Sequence, residues 1–224
     1  MLSTTDPTSL ARNKRTPGRT RSEAARTAIL NATLHLLEEQ SLQQISIEAI
    51  AKEAGVGKAT IYRWWSSKVS VVIDAFVQNH VLQTPMPKQG SCAEAIAVHI
   101  HRMIEQYDGR GGRLVAQIMA EGQSSPEVMR EFRERFFYGR RAMVREVIEQ
   151  GRRNGEFRTD LDAEFLMDLI YSPVYFRLMM GHLPLSHAFA DELARSALAF
   201  LCTPQVGFAT APAPAPPRRK ARQS

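Results

Sequence analysis

The chain has 224 residues, of which 44% are hydrophobic and 23% charged, so it can bury one large core or two smaller ones. Its two cysteines, Cys92 and Cys202, lack CxxC spacing, which argues against a disulfide scaffold or a structural zinc site and fits a reducing cytoplasm. No apolar run is long enough to cross a bilayer, so we expect a cytoplasmic protein with no membrane partner.

The net charge of +6 is concentrated at the two ends of the chain. Residues 1–21 carry +4 and residues 204–224 carry another +4, which leaves the body between them at −2. Neither end has apolar periodicity, and the second is a Pro/Ala run followed by Arg and Lys. We therefore predict a disordered basic arm at 1–21 and a disordered Pro/Ala and basic tail at 204–224.

Between these ends the apolar residues recur with helical spacing and no stretch alternates long enough for a sheet, so the predicted fold class is all-α. We predict an N-terminal domain at 22–82 and a larger helical domain at 91–203, with Pro85 and Pro87 closing the first. The predicted helices are one from an N-cap at Ser22 to Gln40, a short one after Ser46, and further helices at 57–64, 67–81, 92–107, 113–121, 125–153, 161–181 and 187–202.

Glycine and proline mark the expected interruptions. Gly109, Gly111 and Gly112 are predicted to break the chain between two helices, because glycine is a poor helix former. Pro173 lies inside a predicted helix and is expected to bend it, because its ring removes an amide donor and clashes with the preceding turn.

Two short helices near the start of the chain have the spacing of a helix-turn-helix. Ala51 is small where the helices would cross, Gly55 permits the tight turn, and Val56, Ile61 and Trp64 are expected to fill the core behind the second helix. In such a motif the second helix enters the major groove of DNA while the first braces it against the backbone.

Residues 22–76 resemble the DNA-binding domain of the TetR family, most specifically in the stretch GVGKATIYRWWSSK from Gly55 to Lys68. The resemblance implies that this stretch forms the turn, the recognition helix and the start of the next helix. It also implies a homodimeric repressor that releases its operator when a small ligand binds. Gly57 and Ala59 depart from the Ser and Gly frequent in the family, so position 57 offers a phosphate only its amide.

The charge pattern agrees with these implied roles, since residues 56–70 contain three basic side chains and no acidic one. Phosphate contacts position such a domain and base contacts specify the sequence. We expect phosphate contacts from Ser46, the Gly57 amide, Tyr62 and Lys68, and base contacts from Lys58, Ala59 and Thr60 at the helix N-terminus. Arg19 and Arg21 of the basic arm are expected to add phosphate or minor-groove contacts, with a purely solubilising arm as the alternative.

The larger domain resembles the family only in architecture. By that resemblance its last two helices pair with their counterparts in a dimer, and a dimer also suits a palindromic operator, because one recognition helix reads too few base pairs. Ordinary packing within one chain is the alternative for each residue of this candidate interface. The candidates are Phe165, Leu169, Ser172, Phe176, Leu193, Ala197 and Leu201.

An inducer pocket is expected among the helices between residues 92 and 181. Methionine and tyrosine suit a mostly apolar ligand site with a few polar anchors, although each is more often part of a plain core. The candidate lining residues are Met103, Tyr107, Met119, Phe137, Met143, Tyr171, Tyr175 and Met179.

Other classes of function have weaker support. An enzyme is disfavoured because the chain lacks the P-loop, GxSxG and HExxH motifs, and no cofactor is indicated. His182, His187 and Cys202 offer only a scattered set for a metal sensor. The two basic ends leave a non-specific, nucleoid-type DNA binder as the main alternative, and repression rather than activation rests on the resemblance.

Overall fold

The structure is a computed structural model that describes residues 17–87 and 89–202. Every regular element within these residues is a helix, so the all-α prediction is confirmed. The predicted basic arm up to residue 16 and the tail from residue 203 lie outside the described residues. The helices are α1 Pro17–Glu39, α2 Ile47–Glu53, α3 Lys58–Tyr62, α4 Lys68–Gln83, α5 Cys92–Tyr107, α6 Arg110–Ser124, α7 Pro126–Phe132, a π-helical turn Arg133–Phe137, α8 Tyr138–Arg153, α9 Ala163–Met180 and α10 His187–Cys202.

Helix α1 begins earlier than its sequence predicts. Pro17 starts it, so Ser22 is not its N-cap, and Arg19 and Arg21 lie in the helix rather than on a separate arm. Proline is well suited to a first helical position, because the amide hydrogen that it lacks would have no partner in the helix there. The predicted start at Ser22 is therefore wrong by more than one turn.

The N-terminal domain consists of α1 to α4 around an apolar core. Ile29 and Leu30 of α1, Ile50 of α2, Ile61 of α3 and Val72 of α4 are all fully buried. Helix α4 packs against α1 and continues to α7 and the π-helical turn, so it belongs to the cores of both domains. A movement of α4 would therefore change the packing of both domains.

Two predicted helix breakers turn out to lie inside a helix. Only Gly109 interrupts the chain, as the N-cap of α6, whereas Gly111 and Gly112 belong to the helix itself. A Cβ at Gly112 would lie 2.1 Å from the carbonyl oxygen of Tyr107 and 2.7 Å from Cδ2 of Leu178. The glycine is therefore needed for a close approach between α6, α5 and α9, which the sequence pattern does not reveal.

The predicted helix at 125–153 is nearly continuous but contains one π-helical turn. Residues 133–137 form this turn between α7 and α8. A π-helical turn inserts an extra residue and changes which side chains share a face. Here Phe136 becomes buried while Arg135 reaches α4.

The last two helices lie nearly where they are predicted. Asp162 caps α9 by accepting hydrogen bonds from two backbone amides, Gly181 ends it with a φ of +62°, and Pro173 lies within it. Helix α10 packs against α5. Leu193, Ala197 and Leu201 are consequently at most 7% exposed in a single chain.

Candidate nucleic-acid interface and ligand groove

Local capping signals define the helix-turn-helix. The Ser46 hydroxyl accepts a hydrogen bond from the amide of Ala49 at 3.1 Å and so caps α2, as predicted. Gly55 follows α2 with a φ of +65°, and the amides of Gly55 and Val56 donate to the carbonyls of Lys52 and Ala51. This is a Schellman motif, in which a left-handed glycine turns the chain sharply out of the helix.

The core behind α3 differs from the prediction in one residue. Ile61 is fully buried and Val56 is half-buried, but Trp64 is 36% exposed and Trp65 is the buried tryptophan. The carboxylate of Asp74 on α4 accepts a hydrogen bond from the Trp65 indole at 2.8 Å. Burial of a tryptophan is favoured when its N–H has such a partner.

The opposite face of α3 is open to solvent. Tyr62 is 54% exposed, Gly57, Lys58 and Ala59 are exposed, and Thr60 is half-buried. These five predicted contact residues thus lie together on one short helix and its N-cap, with the apolar core behind them. Such a helix is free to enter a groove, and its N-terminal residues would meet the base edges.

Lys58 forms an ion pair with an acidic side chain of α2. Its ammonium group donates to the carboxylate of Glu48 on α2 at 2.9 Å. This hydrogen bond lowers the pKa of Glu48 and raises that of Lys58. The predicted base reader is therefore oriented by α2, and a carboxylate lies on the same face as the expected DNA contacts.

The outer predicted phosphate contacts flank α3. Lys68 begins α4 and its ammonium group donates to the carbonyl of Gln43 at 3.3 Å, while Ser46 is half-buried at the start of α2. Arg19 and Arg21 lie in the first turns of α1. The helix-turn-helix residues are thus grouped, whereas the two arginines belong to a different helix.

Asp74 connects the two domains, and the sequence pattern gave no sign of it. Besides Trp65, its carboxylate accepts hydrogen bonds from Arg26 of α1 at 3.1 Å and from Arg135 of the π-helical turn at 2.7 Å. Its side chain is only 17% exposed, so these contacts are partly shielded from water. Three contacts meet at one carboxylate, and the two from Arg26 and Arg135 are long-range, so no local spacing encodes them.

The larger domain contains a groove between α6, α7, the π-helical turn and α9. Its volume is about 540 Å³, within the range of small-molecule sites. We call it the apolar groove. Its walls include Met119, Met129, Phe132, Phe137, Tyr171, Tyr175, Phe176, Met179 and Met180.

A smaller cavity of about 20 Å³ adjoins the apolar groove, and we call it the inner chamber. The two share Phe137, Arg141, Tyr171 and Tyr175 as walls. The chamber is otherwise lined by His80, His99, Met103, Tyr107, Phe136 and Arg140.

Seven of the eight predicted pocket residues line one of these two cavities. Met143 does not. It is 36% exposed and faces a separate cleft beside Pro85 and Pro87. Its place in the predicted pocket is therefore wrong, because helical spacing alone does not tell which face of α8 points inward.

Two neutral histidines occupy the inner chamber. Burial, followed by the charge of Arg140, lowers the pKa of both His80 and His99 to about 3. Burial also raises the pKa of Tyr171 and Tyr175, so both stay protonated. The chamber therefore carries uncharged polar groups around its arginines.

The predicted dimer residues separate into two groups. Phe165, Leu169, Ser172 and Phe176 are exposed along one face of α9, with Phe176 59% exposed. Leu193, Ala197 and Leu201 are instead buried against the rest of their own chain. Their assignment to a dimer interface is wrong, because α10 turns that face toward α5.

Neither a metal site nor a membrane-spanning helix occurs among the described residues. No three His, Cys, Asp or Glu side chains of residues 17–87 and 89–202 come together in a way that could hold a metal ion. None of the helices in this part of the chain combines the length and apolar character that a membrane span needs.

A helix-turn-helix with an exposed recognition helix, joined to a helical domain that contains an apolar groove, defines a DNA-binding regulator. Residues 29–75 match the family model of bacterial regulatory proteins of the tetR family, and residues 86–197 match the tetracyclin repressor-like C-terminal domain. The HTH-type transcriptional regulator YdeS of Bacillus subtilis (strain 168) is 34% identical over 180 residues, which cover 80% of this chain and 91% of YdeS. The chain belongs to the TetR family of transcriptional regulators.

Solved structures agree with this family. The TetR family transcription regulator SCO0332 superposes with a TM-score of 0.71 at 26% identity, covering 80% of this chain and 99% of that one. The regulator FadR from Bacillus subtilis superposes with a TM-score of 0.61 at 18% identity, covering 78% and 98%. The second likeness shows the fold alone.

Proposed function

We propose that this regulator is a homodimeric repressor that binds a palindromic operator through α3 and releases it when a small ligand occupies the apolar groove. The observation that carries the proposal is the exposed face of α3, where Lys58, Ala59 and Tyr62 project away from the buried Ile61. Because its partner is genomic DNA, we place its action in the cytoplasm.

The exposed face of α9 supports a dimer. Phe165, Leu169 and Phe176 leave an apolar strip facing solvent, and large exposed apolar patches mark interaction sites. A second copy of α9 is the partner that a two-fold symmetric operator demands, since the same surface must then meet itself. The other three predicted interface residues play no part in this version of the dimer.

Helix α4 supports the coupling between ligand and DNA. His80 on α4 lines the inner chamber, and Asp74 on the same helix binds the Trp65 indole behind α3. The two residues are about 9 Å apart along the helix axis. A ligand that displaces His80 would therefore move the helix that holds the Trp65 indole, three residues after the end of α3, with a coupling of about 1 to 3 kcal/mol.

The fold can hold a ligand of considerable size, since the structure of FadR from Bacillus subtilis is in complex with stearoyl-CoA. That ligand is not carried over to this chain. The groove of about 540 Å³ supports a smaller, mostly apolar compound.

The test is a selection of bound sequences from random double-stranded oligonucleotides, followed by fluorescence anisotropy on the selected and on scrambled DNA. We expect an inverted repeat and an affinity ratio of about 10³ or more at physiological salt. A ratio near one would instead support the non-specific, nucleoid-type binder. Release by ligand is then tested on the selected DNA.

A further inference from the structure

The inner chamber contains a buried positive charge without an acidic partner. Arg140 is 8% exposed, and its guanidinium group forms no ion pair with any carboxylate in the described part of the chain. Its polar contacts are Nδ1 of His99 at 3.4 Å and the sulfur of Met143 at 3.8 Å. A buried charge is costly unless a counter-charge and hydrogen bonds compensate it.

The neighbouring arginine shows the contrast. Arg141 is also buried, at 7% exposed, but its guanidinium group contacts the carboxylate of Glu164 at 2.9 Å and that of Asp168 at 2.8 Å. Two acidic groups thus neutralise Arg141 while Arg140 has none. The uncompensated charge of the chamber belongs to Arg140.

The hydrogen bonds around Arg140 leave further donors facing the chamber. A guanidinium group only donates, so Nδ1 of His99 accepts and the ring hydrogen is on Nε2. Nε2 then donates to the Tyr171 hydroxyl oxygen at 2.8 Å, which leaves the Tyr171 O–H free to donate elsewhere. The buried Nδ1 of His80 also has no hydrogen-bond partner, and it donates in one ring tautomer and accepts in the other.

The sizes of the two cavities suit a ligand that has a small polar head and a larger apolar body. With a volume of about 20 Å³, the inner chamber has room for only the small polar head of a ligand. The adjoining apolar groove of about 540 Å³ has Met119, Phe176 and Met179 in its walls and can take a larger body. A single uncompensated positive charge calls for a singly charged head, and a carboxylate matches the planar fork of an arginine.

We propose that the ligand of this regulator is an apolar monocarboxylate, with its carboxylate against Arg140 and Tyr171 in the inner chamber and its apolar body in the groove. The inference rests on the proposed function in one respect, namely that the groove is the ligand site.

The test uses the full chain and two matched pairs of probes, octanoate with octanamide and 2-naphthoate with 2-naphthamide. Binding is measured by isothermal titration calorimetry and by the shift in unfolding midpoint. At least one carboxylate should bind and raise the midpoint, and its amide should bind about tenfold more weakly or not at all. Equal binding of acid and amide, or no binding by either acid, would overturn the proposal.

Variants locate the head group. Arg140→Gln should reduce carboxylate affinity by about tenfold or more, and Tyr171→Phe should reduce it several-fold. Arg153→Gln removes the same charge from an exposed position at the end of α8 and should leave the carboxylate affinity unchanged. Unaltered carboxylate binding by Arg140→Gln would refute the assignment. If Arg140→Gln fails to fold, the Tyr171→Phe variant decides.

Operator binding distinguishes this inference from the proposed function. If the protein binds its selected DNA and is released only by uncharged compounds, the proposed function stands and the carboxylate ligand is refuted. If the protein binds a carboxylate through Arg140 but selects no DNA sequence, the carboxylate ligand stands and the proposed repressor function is refuted.

Discussion

The carboxylate of Asp74 on α4 lies 2.7 Å from Nη1 of Arg135 in the π-helical turn, so one ion pair joins the DNA-binding domain to the larger domain. The same carboxylate accepts the indole hydrogen of Trp65 directly behind the recognition helix. Asp74 therefore connects the segment that follows α3 with the larger domain.

Asp74→Ala should destabilise the protein more than Arg135→Gln. The first change leaves the buried Trp65 N–H without a partner and should lower the free energy of unfolding by about 2 kcal/mol. The second removes an arginine that is 36% exposed and should cost about 0.5 kcal/mol. Urea unfolding followed by tryptophan fluorescence measures both. Equal losses in the free energy of unfolding would mean that the hydrogen bond from Trp65 adds no measurable stability.

Tyr62→Phe should weaken operator binding about fivefold, or ~1 kcal/mol, without altering the fold, because the lost hydroxyl is the expected phosphate donor. Fluorescence anisotropy on the selected operator gives the affinity. Tyr138→Phe is the matched control, since Tyr138 is 55% exposed and Tyr62 is 54% exposed, but Tyr138 lies on α8. If the two variants bind alike, the contact assigned to Tyr62 is wrong.

Glu48→Gln should raise the affinity for operator and for random DNA several-fold, because it removes a carboxylate from the proposed DNA-binding face and frees Lys58. The effect should fade as salt is raised. Glu53→Gln removes the same charge from the same helix, where the carboxylate contacts His35 instead. A larger gain from Glu53→Gln than from Glu48→Gln would contradict the proposed orientation of α2.

Phe176→Glu should convert the proposed dimer into monomers, because it places a charge in the exposed apolar strip of α9. Sedimentation equilibrium measures the mass, and operator affinity should fall with it. Tyr138→Glu alters an equally large exposed aromatic residue on α8 and should leave the mass unchanged. A Phe176→Glu protein that remains dimeric would remove α9 from the interface.

The stability of the protein should fall as the pH falls from about 6.5 toward about 3. Folding holds the pKa of His80 and His99 at about 3, so both rings stay neutral while the unfolded chain takes up protons below about 6.5. The unfolded state then binds more protons, and each histidine contributes up to about 1.4 kcal/mol per pH unit. Urea unfolding at pH 7, 6 and 5 should show this slope, and His99→Gln should reduce it. A flat profile in the wild type would count against the neutral chamber.

Agreement between sequence and structure is best where the signal is local. The hydroxyls of Ser46 and Ser67 each cap the helix that follows, and Gly55 turns the chain with a positive φ. Each of these features depends on groups within a few residues of one another. Sequence spacing therefore predicted the helix-turn-helix and the bounds of α10 well.

The sequence-based predictions of burial and of helix breaks fail where contacts with other helices determine the outcome. Trp64 and Trp65 are adjacent, and only the position of Asp74 on α4 determines that Trp65 is the buried one. Gly112 is required by the carbonyl of Tyr107 and the side chain of Leu178 rather than by a break in the helix. No periodic pattern contains this information, because it comes from helices that meet only in the folded chain.

By itself the sequence determined the all-helical class and the helix-turn-helix, since capping, glycine turns and apolar spacing act over single helical turns. Only the tertiary structure decided that Leu193, Ala197 and Leu201 belong to the core of their own chain, that Asp74 joins the domains, and that Arg140 is buried without a carboxylate. The physical reason is that burial and charge pairing depend on which helices pack together, and residues from far along the chain supply the partners.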